Sequence, residues 1–289
     1  MTAGLRAALW QAAVAVRALY EDRSFDVETK GDNTPLTSAD LRANEILERE
    51  LAQLDPEAGW LSEETAEDDA TREARMARER IWIVDPIDGT REFVEATGEY
   101  SISVGLAENG RPVLGGVALP QENLIAVGSV VGGGLQLWRY SYDASAGEMP
   151  PQFERVPAAM TRPVPADLAA ARIIVSSSEM RRGAYDPVKA EWQLEAQGSI
   201  ARKLALVAIG RADLSVSLYP KSEWDICGGA ALLACQPGAT VVELETRAPQ
   251  RFNQAKPRTV GLAAGPTELV QEFVDSYARR GLELRFSYD

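Results

Sequence analysis

Two aspartates, Asp85 and Asp88, close the apolar run of WIVDPIDGTREF, residues 82–93, and the chain then turns at once through Gly89 into Thr90. A turn needs polar residues, but it does not need two carboxylates at the mouth of a buried strand. Pro86 ends the strand and fixes φ, so carboxylates on either side of the turn can converge. A helix starting near Gly89 would aim its free backbone N–H groups and positive dipole end at the same point. Carboxylates suit Mg²⁺ and a helix N-terminus suits phosphate oxygens, so the segment fits a metal ion and a phosphate together. An Asp cap followed by an ordinary turn accounts for the same residues, and this segment alone does not choose between the two.

Three more acidic spots stand beside element ends: Glu63 and Glu64 in WLSEET, Asp40 in TSAD, and Asp225 in EWDICGG. Each has a plain structural reading. Thr37 and Asp40 have capping-box spacing, Asp225 suits a helix N-cap, and Glu63-Glu64 reads as an acidic loop. The chain contains no histidine. That excludes histidine-based triads, HExxH zinc sites and histidine general bases. Proton transfer falls to carboxylates, hydroxyls, lysine or metal-bound water. With 30 Lys and Arg against 43 Asp and Glu, the formal net charge is −13, a surface that repels nucleic acid and anionic membrane. An anionic substrate would need something locally positive, and a bound divalent cation is the natural candidate.

The elements that must position these residues fall into two groups. At 289 residues the chain suits one large domain or two fused halves. Hydrophobic residues at 45% and charged ones at 25% fit a globular protein. Helices are expected over 4–20 and 38–54, and the charged stretch ETAEDDATREARMARERI reads as a solvated helix or loop. Strands follow at 81–84, 100–107, 112–119, 123–129 and 134–140, with Asn109-Gly110 as a hairpin turn. Short strands on tight turns imply an antiparallel sheet. GGG at 132–134 reads as a turn. The Pro-, Ala- and Ser-rich segment 141–170 is the expected boundary, dividing the chain into 1–150 and 151–289. Beyond it, strands at 172–175, 213–217, 240–243 and 258–263 alternate with helices at 185–195, 199–209, 225–236 and 266–280, which implies a more parallel sheet. Cys227 and Cys235 lie about 12 Å apart along one expected helix, beyond disulfide reach. The N-terminal helix is no convincing signal peptide, and no apolar run approaches a membrane span. The protein reads as cytoplasmic.

Taken together, SEE at 62–64, WIVDPIDGT at 82–90, EWDICGG at 223–229 and PLTSAD at 35–40 resemble the lithium-sensitive, magnesium-dependent phosphatase superfamily that includes inositol monophosphatase. The matches run in order over almost the whole chain. The resemblance implies an α/β (α+β) fold, an αβαβα sandwich with a mainly antiparallel first sheet and a smaller, more parallel second one. It implies that Glu63, Asp85 and the Ile87 carbonyl bind one Mg²⁺, that Asp85, Asp88 and Asp225 bind a second, and that a third, weaker ion sits near Glu63. Asp40 would orient Thr90, whose hydroxyl helps position the nucleophilic water. The Gly89 and Thr90 N–H groups would hold the phosphate. Family members are often dimers, so a homodimer is one implied arrangement.

Within the superfamily, Arg91-Glu92-Phe93 after DPIDGT resembles the 3′(2′),5′-bisphosphate nucleotidase branch, where inositol phosphatases usually read Thr-Asn-Phe. Inositol phosphatases also carry a glutamate seven residues before the C-terminal metal aspartate, and Leu218 stands there. The implied substrate is 3′-phosphoadenosine 5′-phosphate, cleaved to AMP and phosphate. Lys203 and Lys221, with Arg181 and Arg182, are candidates to receive its 5′-phosphate, although each alone also reads as a solvated surface cation. Nucleotidase relatives often carry an arginine in the segment written here VSSSEMRR, where this chain has Ser177. The alternatives are an inositol-1-phosphatase of broad specificity and a non-catalytic divalent-cation-binding protein.

Overall fold

The computed structural model describes residues 1–31, 34–142, 152–158 and 163–287. In chain order these form α1 (Thr2–Asp22), β1 (Val27–Thr29), β2 (Pro35–Thr37), α2 (Ser38–Leu54), β3 (Gly59–Ser62), α3 (Asp69–Met76), β4 (Arg80–Asp88), α4 (Thr90–Val94), β5 (Ser101–Glu108), β6 (Arg111–Leu119), β7 (Leu124–Ser129), β8 (Gly134–Tyr140) and β9 (Phe153–Val156). The second half contributes β10 (Arg172–Ser176), α5 (Ser177–Arg181), β11 (Gln193–Gln197), α6 (Ile200–Ala208), β12 (Leu214–Ser222), α7 (Glu223–Ala234), β13 (Ala239–Glu243), β14 (Ala248–Pro249), β15 (Arg258–Pro266) and α8 (Thr267–Ser276).

Side-chain alternation along β4 sets the layers. Ile81 and Ile83 point into a core built from α6 and α7, while Trp82 and Val84 point the other way, into a core built from α1 and α2. A strand buried on both faces reads as a continuous apolar run. The first sheet has the order β3-β4-β5-β6-β7-β8-β9 and is antiparallel except where β3 meets β4. The second has the order β11-β10-β12-β15-β13-β14, and β10 runs parallel to both β11 and β12. α8 packs on the far face of this second sheet. The layers are therefore αβαβα, as the resemblance implies.

One expected helix is absent. Residues 185–192 form turns, and β11 follows as an edge strand parallel to β10. Pro187 disfavours the helical conformation at Asp186 before it, and the apolar and polar residues of QLEAQ alternate at the strand period. Part of the expected boundary, 143–151 and 159–162, lies outside the described residues. Between these gaps β9 pairs with β8 and belongs to the first sheet. No helix among the described residues is long and apolar enough to cross a membrane.

Contact between α7 and the first sheet depends on missing side chains. A Cβ on Gly105 of β5 would come within 2.8 Å of the Cys227 backbone, and one on Gly228 within 2.9 Å of the Gly116 carbonyl oxygen. That closeness lets α7 bring its N-terminal turn up to the end of β4. Gly105→Ala is expected to cost about 1–3 kcal/mol by overpacking, lowering the calorimetric melting temperature by several degrees. An unchanged melting temperature would mean that α7 can retreat freely.

Candidate active site

On a regular strand, residues three apart face opposite sides. Asp85 and Asp88 do not, because β4 carries a bulge. Asp85 pairs with Ser103 and Asp88 with Ser101, so three residues on β4 answer two on β5. The extra residue rotates Asp88 onto the side of Asp85, which is what a bulge beside a site can do. β4 does not end at Pro86 but runs through it to Asp88, and Pro86 lies within the bulge, where a missing ladder N–H is tolerated. Asp85 Oδ1 accepts from the Ile87 N–H at 3.1 Å, which fixes the turn.

The third carboxylate arrives on α7. Asp225 sits at the third helical position, and its Oδ2 accepts from the Ser222 N–H at 2.9 Å in a capping box. The capping role and the site role therefore coexist in one side chain. Oxygens of Asp85, Asp88 and Asp225 lie within 4.8 Å of one another. Asp85 and Asp88 are buried and Asp225 half-buried. Burial pushes the Asp85 carboxyl well above its ordinary value, and the charges of Glu63, Asp88 and Asp225 push it further. Burial raises Asp225 to about 8, helped by Asp88 and Glu63. Burial raises Asp88 to about 6, against the pull of a Ser199 hydrogen bond and Lys203. Such a trio is poorly stable as bare anions, and a cation between them removes the conflict. The donors are hard oxygens, the set that a hard metal cation takes. The arrangement can hold a metal ion.

Around the trio stand the other predicted residues. Glu63, Ile87, Gly89, Thr90, Lys203 and Lys221 line one cleft of about 240 Å³ with the three aspartates. Asp40 lies behind it, fully buried, its Oδ2 accepting from the Thr37 N–H at 2.8 Å. Its Oδ1 is 3.2 Å from the Thr90 hydroxyl, which also reaches the Ile87 carbonyl at 3.0 Å. Burial raises Asp40 to about 6. Gly89 has φ +92°, and a Cβ there would stand 3.2 Å from the Glu99 carbonyl. α4, starting at Thr90, has only 5 residues. What it offers a ligand is its first N–H groups rather than a long macrodipole.

Glu63 lies apart from the close trio. Its Oε1 accepts from Lys30 at 2.7 Å, and Lys30 also reaches Glu64 at 2.8 Å. Burial opposes the Lys30 charge, but the two glutamates raise its pKa above the ordinary lysine value. Sequence reading missed Lys30, since nothing in a polar turn-rich segment marks one lysine.

The wall from the second sheet is basic and hydroxylic. Lys203 is 2% exposed, and its ammonium donates to the Gly198 and Ser199 carbonyls at 3.1 and 3.0 Å. Burial lowers its pKa to about 8. Lys221 is 9% exposed and pairs with Glu179 at 3.2 Å. Neither is a solvated surface cation. Arg181 and Arg182 are exposed and do not line the cleft. Ser176, Ser178 and Ser199, missed in the sequence, complete this wall. Ser199 caps α6 and donates to Asp88 at 2.7 Å, tying the two walls together.

Three comparisons bear on this geometry. The model of the inositol monophosphatase family matches residues 1–275. The chain is 30% identical over 223 residues to the 3′(2′),5′-bisphosphate nucleotidase CysQ of Escherichia coli strain K12, covering 76% of this chain and 81% of that one. It is 30% identical over 244 residues to the protein of the same name from Aggregatibacter actinomycetemcomitans, covering 84% of each. Among solved structures, that of CysQ from Bacteroides thetaiotaomicron superposes with TM-score 0.70 at 27% identity, covering 92% of this chain and 97% of that one.

Proposed function

The chain belongs to the inositol monophosphatase family, and from that premise we propose that it is a Mg²⁺-dependent phosphatase of 3′-phosphoadenosine 5′-phosphate, yielding AMP and phosphate. Asp85, Asp88, Asp225, Glu63 and the Ile87 carbonyl would hold two Mg²⁺ ions, and a weaker third would sit near Glu63. Bound there, Mg²⁺ supplies Lewis acidity, acidifying a water and neutralising charge on the phosphoryl oxygens. The Thr90 hydroxyl, set between Asp40 and the Ile87 carbonyl, orients that water. The Gly89 and Thr90 N–H groups hold a phosphoryl oxygen. Burial keeps Asp40 ready to take or give a proton to Thr90 near neutral pH. Cytoplasmic location and a homodimer belong to the same reading.

The observation that carries the substrate is the cleft's two-sided charge, carboxylates on one wall and Lys203 with Lys221 on the other. A monophosphate needs only the first wall, whereas a bisphosphate uses both. A polyol is less well served. Leu218, where a glutamate would contact ring hydroxyls, lies in the core around α8 and offers no acceptor. With Mg²⁺ present, kcat/KM for 3′-phosphoadenosine 5′-phosphate should exceed that for inositol 1-phosphate by at least about tenfold, since a buried polar site rejects a substrate that leaves it unpaired. Faster cleavage of inositol 1-phosphate would favour the broad inositol phosphatase instead.

A further inference from the structure

We propose that Glu179 is a positioning residue that aims Lys221 at the second phosphate of the substrate, and so sets the preference for doubly phosphorylated esters. The inference rests on the bisphosphate reading above.

Glu179 is fully buried and lies behind the cleft wall. A carboxylate held without water must be compensated, or it costs several kcal/mol. Here four donors converge on it. Oε2 accepts from the Tyr185 hydroxyl at 2.7 Å and the Leu218 N–H at 2.8 Å, while Oε1 accepts from the Ser217 hydroxyl and from Lys221 at 3.2 Å. Three of the four come from β12 and one from the turn after α5, so the carboxylate joins two segments. Only Lys221 among these donors also lines the cleft.

An amide oxygen in place of Oε2 still accepts from the Tyr185 hydroxyl and the Leu218 N–H, and the Ser217 hydroxyl can turn to accept from the amide NH2, which leaves Lys221 without its acceptor. The negative charge is needed for Lys221. Lys203 and Lys221 share one wall, and their charges oppose each other. A carboxylate behind Lys221 offsets that repulsion and keeps a second ammonium charged beside the first. The pair also fixes the direction of a long side chain that would otherwise fold back toward the carboxylates of the opposite wall. Burial works against the Glu179 charge, yet Lys221 and the other donors hold its carboxyl below the usual range. It stays ionised at neutral pH. Ser176, which ends β10, and Ser178 of α5 line the cleft in front of it and supply hydroxyls for a phosphate.

The test compares 3′-phosphoadenosine 5′-phosphate with 3′-AMP, which keeps the nucleoside and the scissile ester but lacks the 5′-phosphate. Glu179→Gln keeps the shape and most of the hydrogen bonds. It should raise KM for the bisphosphate roughly 10- to 100-fold, the range for a charge-assisted contact, with kcat within about threefold. Kinetics on 3′-AMP should stay near wild type. A purely structural role would instead lower turnover of both substrates together. Two further variants extend the test, the first of which stands even if Glu179→Gln does not fold: Lys221→Met and the double variant Glu179→Gln/Lys221→Met. The single change should give the bisphosphate-selective loss, and the double should add nothing to it, because Glu179 would act only through Lys221. An equal loss on both substrates, or a further loss in the double variant, overturns the inference. So does a wild-type preference for the bisphosphate that Glu179→Gln leaves unchanged. A wild type that cleaves inositol 1-phosphate faster than the bisphosphate defeats the substrate reading itself, and this inference falls with it.

Discussion

Asp85→Asn is expected to abolish Mg²⁺-dependent turnover while raising the melting temperature of the metal-free protein. The two effects have one cause. Asp85 is 1% exposed and faces Asp88 and Asp225 across less than 4.8 Å between ligand atoms, with Glu63 adding to the repulsion. Neutralising the central carboxylate removes a buried charge that the metal-free fold tolerates poorly. A gain of about 1–2 kcal/mol is reasonable for relieving such a site, or roughly 2–4 °C per kcal/mol in a chain of this size. The amide oxygen can still accept from Ile87, so the turn survives. Loss of one anionic ligand at the centre of the cluster should weaken metal binding and lower kcat/KM by about 10³-fold or more, since several kcal/mol of transition-state charge stabilisation are at stake. Steady-state kinetics and scanning calorimetry in chelator read the two halves. Turnover within about tenfold of wild type would remove Asp85 from the chemistry. A lower metal-free melting temperature would mean that the carboxylate is structural.

Much of this site is legible in the sequence, and the reasons differ by residue. Asp85, Asp88 and Asp225 stand at the ends of apolar runs, where a carboxylate conflicts with its surroundings, and that conflict is local. Their convergence was not visible from periodicity. A spacing of three on a strand predicts opposite faces, and only the bulge between Asp85 and Asp88 reverses this. The family motifs carried that step. Asp40 and Asp225 had plain capping roles as the competing reading; both are the third-position acids of capping boxes, Asp225 behind an N-cap at Ser222 rather than the N-cap itself, and both serve the cleft as well. The basic wall was half legible. Lys203 and Lys221 were named, but their burial was not, because an isolated lysine reads as a surface residue.

Glu179 shows where local pattern ends. In SSSEMRR it looks like one more polar residue on a surface turn. It is buried because Lys221, Ser217 and Leu218 of β12 and Tyr185 of the following turn close over it. Those partners lie up to 42 positions away in the chain. The same limit explains the misread helix at 185–195. Its composition permits a helix, but 185–192 form turns and the pairing of 193–197 with β10 supplies hydrogen bonds that a helix there would forgo. Tertiary context also explains Lys30, which matters only because the β1–β2 hairpin carries it over Glu63 and Glu64.

Chelation should abolish turnover and also reveal an inverted pH dependence of stability. Asp88 and Asp225 have folded pKa values raised to about 6 and about 8, and Asp85 is raised as well. Their unfolded values lie near 4. In the metal-free protein the folded state therefore holds more protons than the unfolded one between about pH 4 and pH 8. The contribution of these groups is present in full below the unfolded pKa and is lost as pH rises through about 6 and then about 8. Added Mg²⁺ competes for the same oxygens, and its binding releases those protons. Stabilisation by Mg²⁺ should then grow with pH across this window, by several degrees in melting temperature. Thermal melts in chelator and in saturating Mg²⁺, at steps across about pH 5 to 8.5, give the difference directly. Asp225→Asn should flatten it, because a carboxyl raised to about 8 no longer titrates. A Mg²⁺ effect independent of pH would mean that the ion binds elsewhere, and the carboxylates that close β4 and open α7 would then have no metal to share.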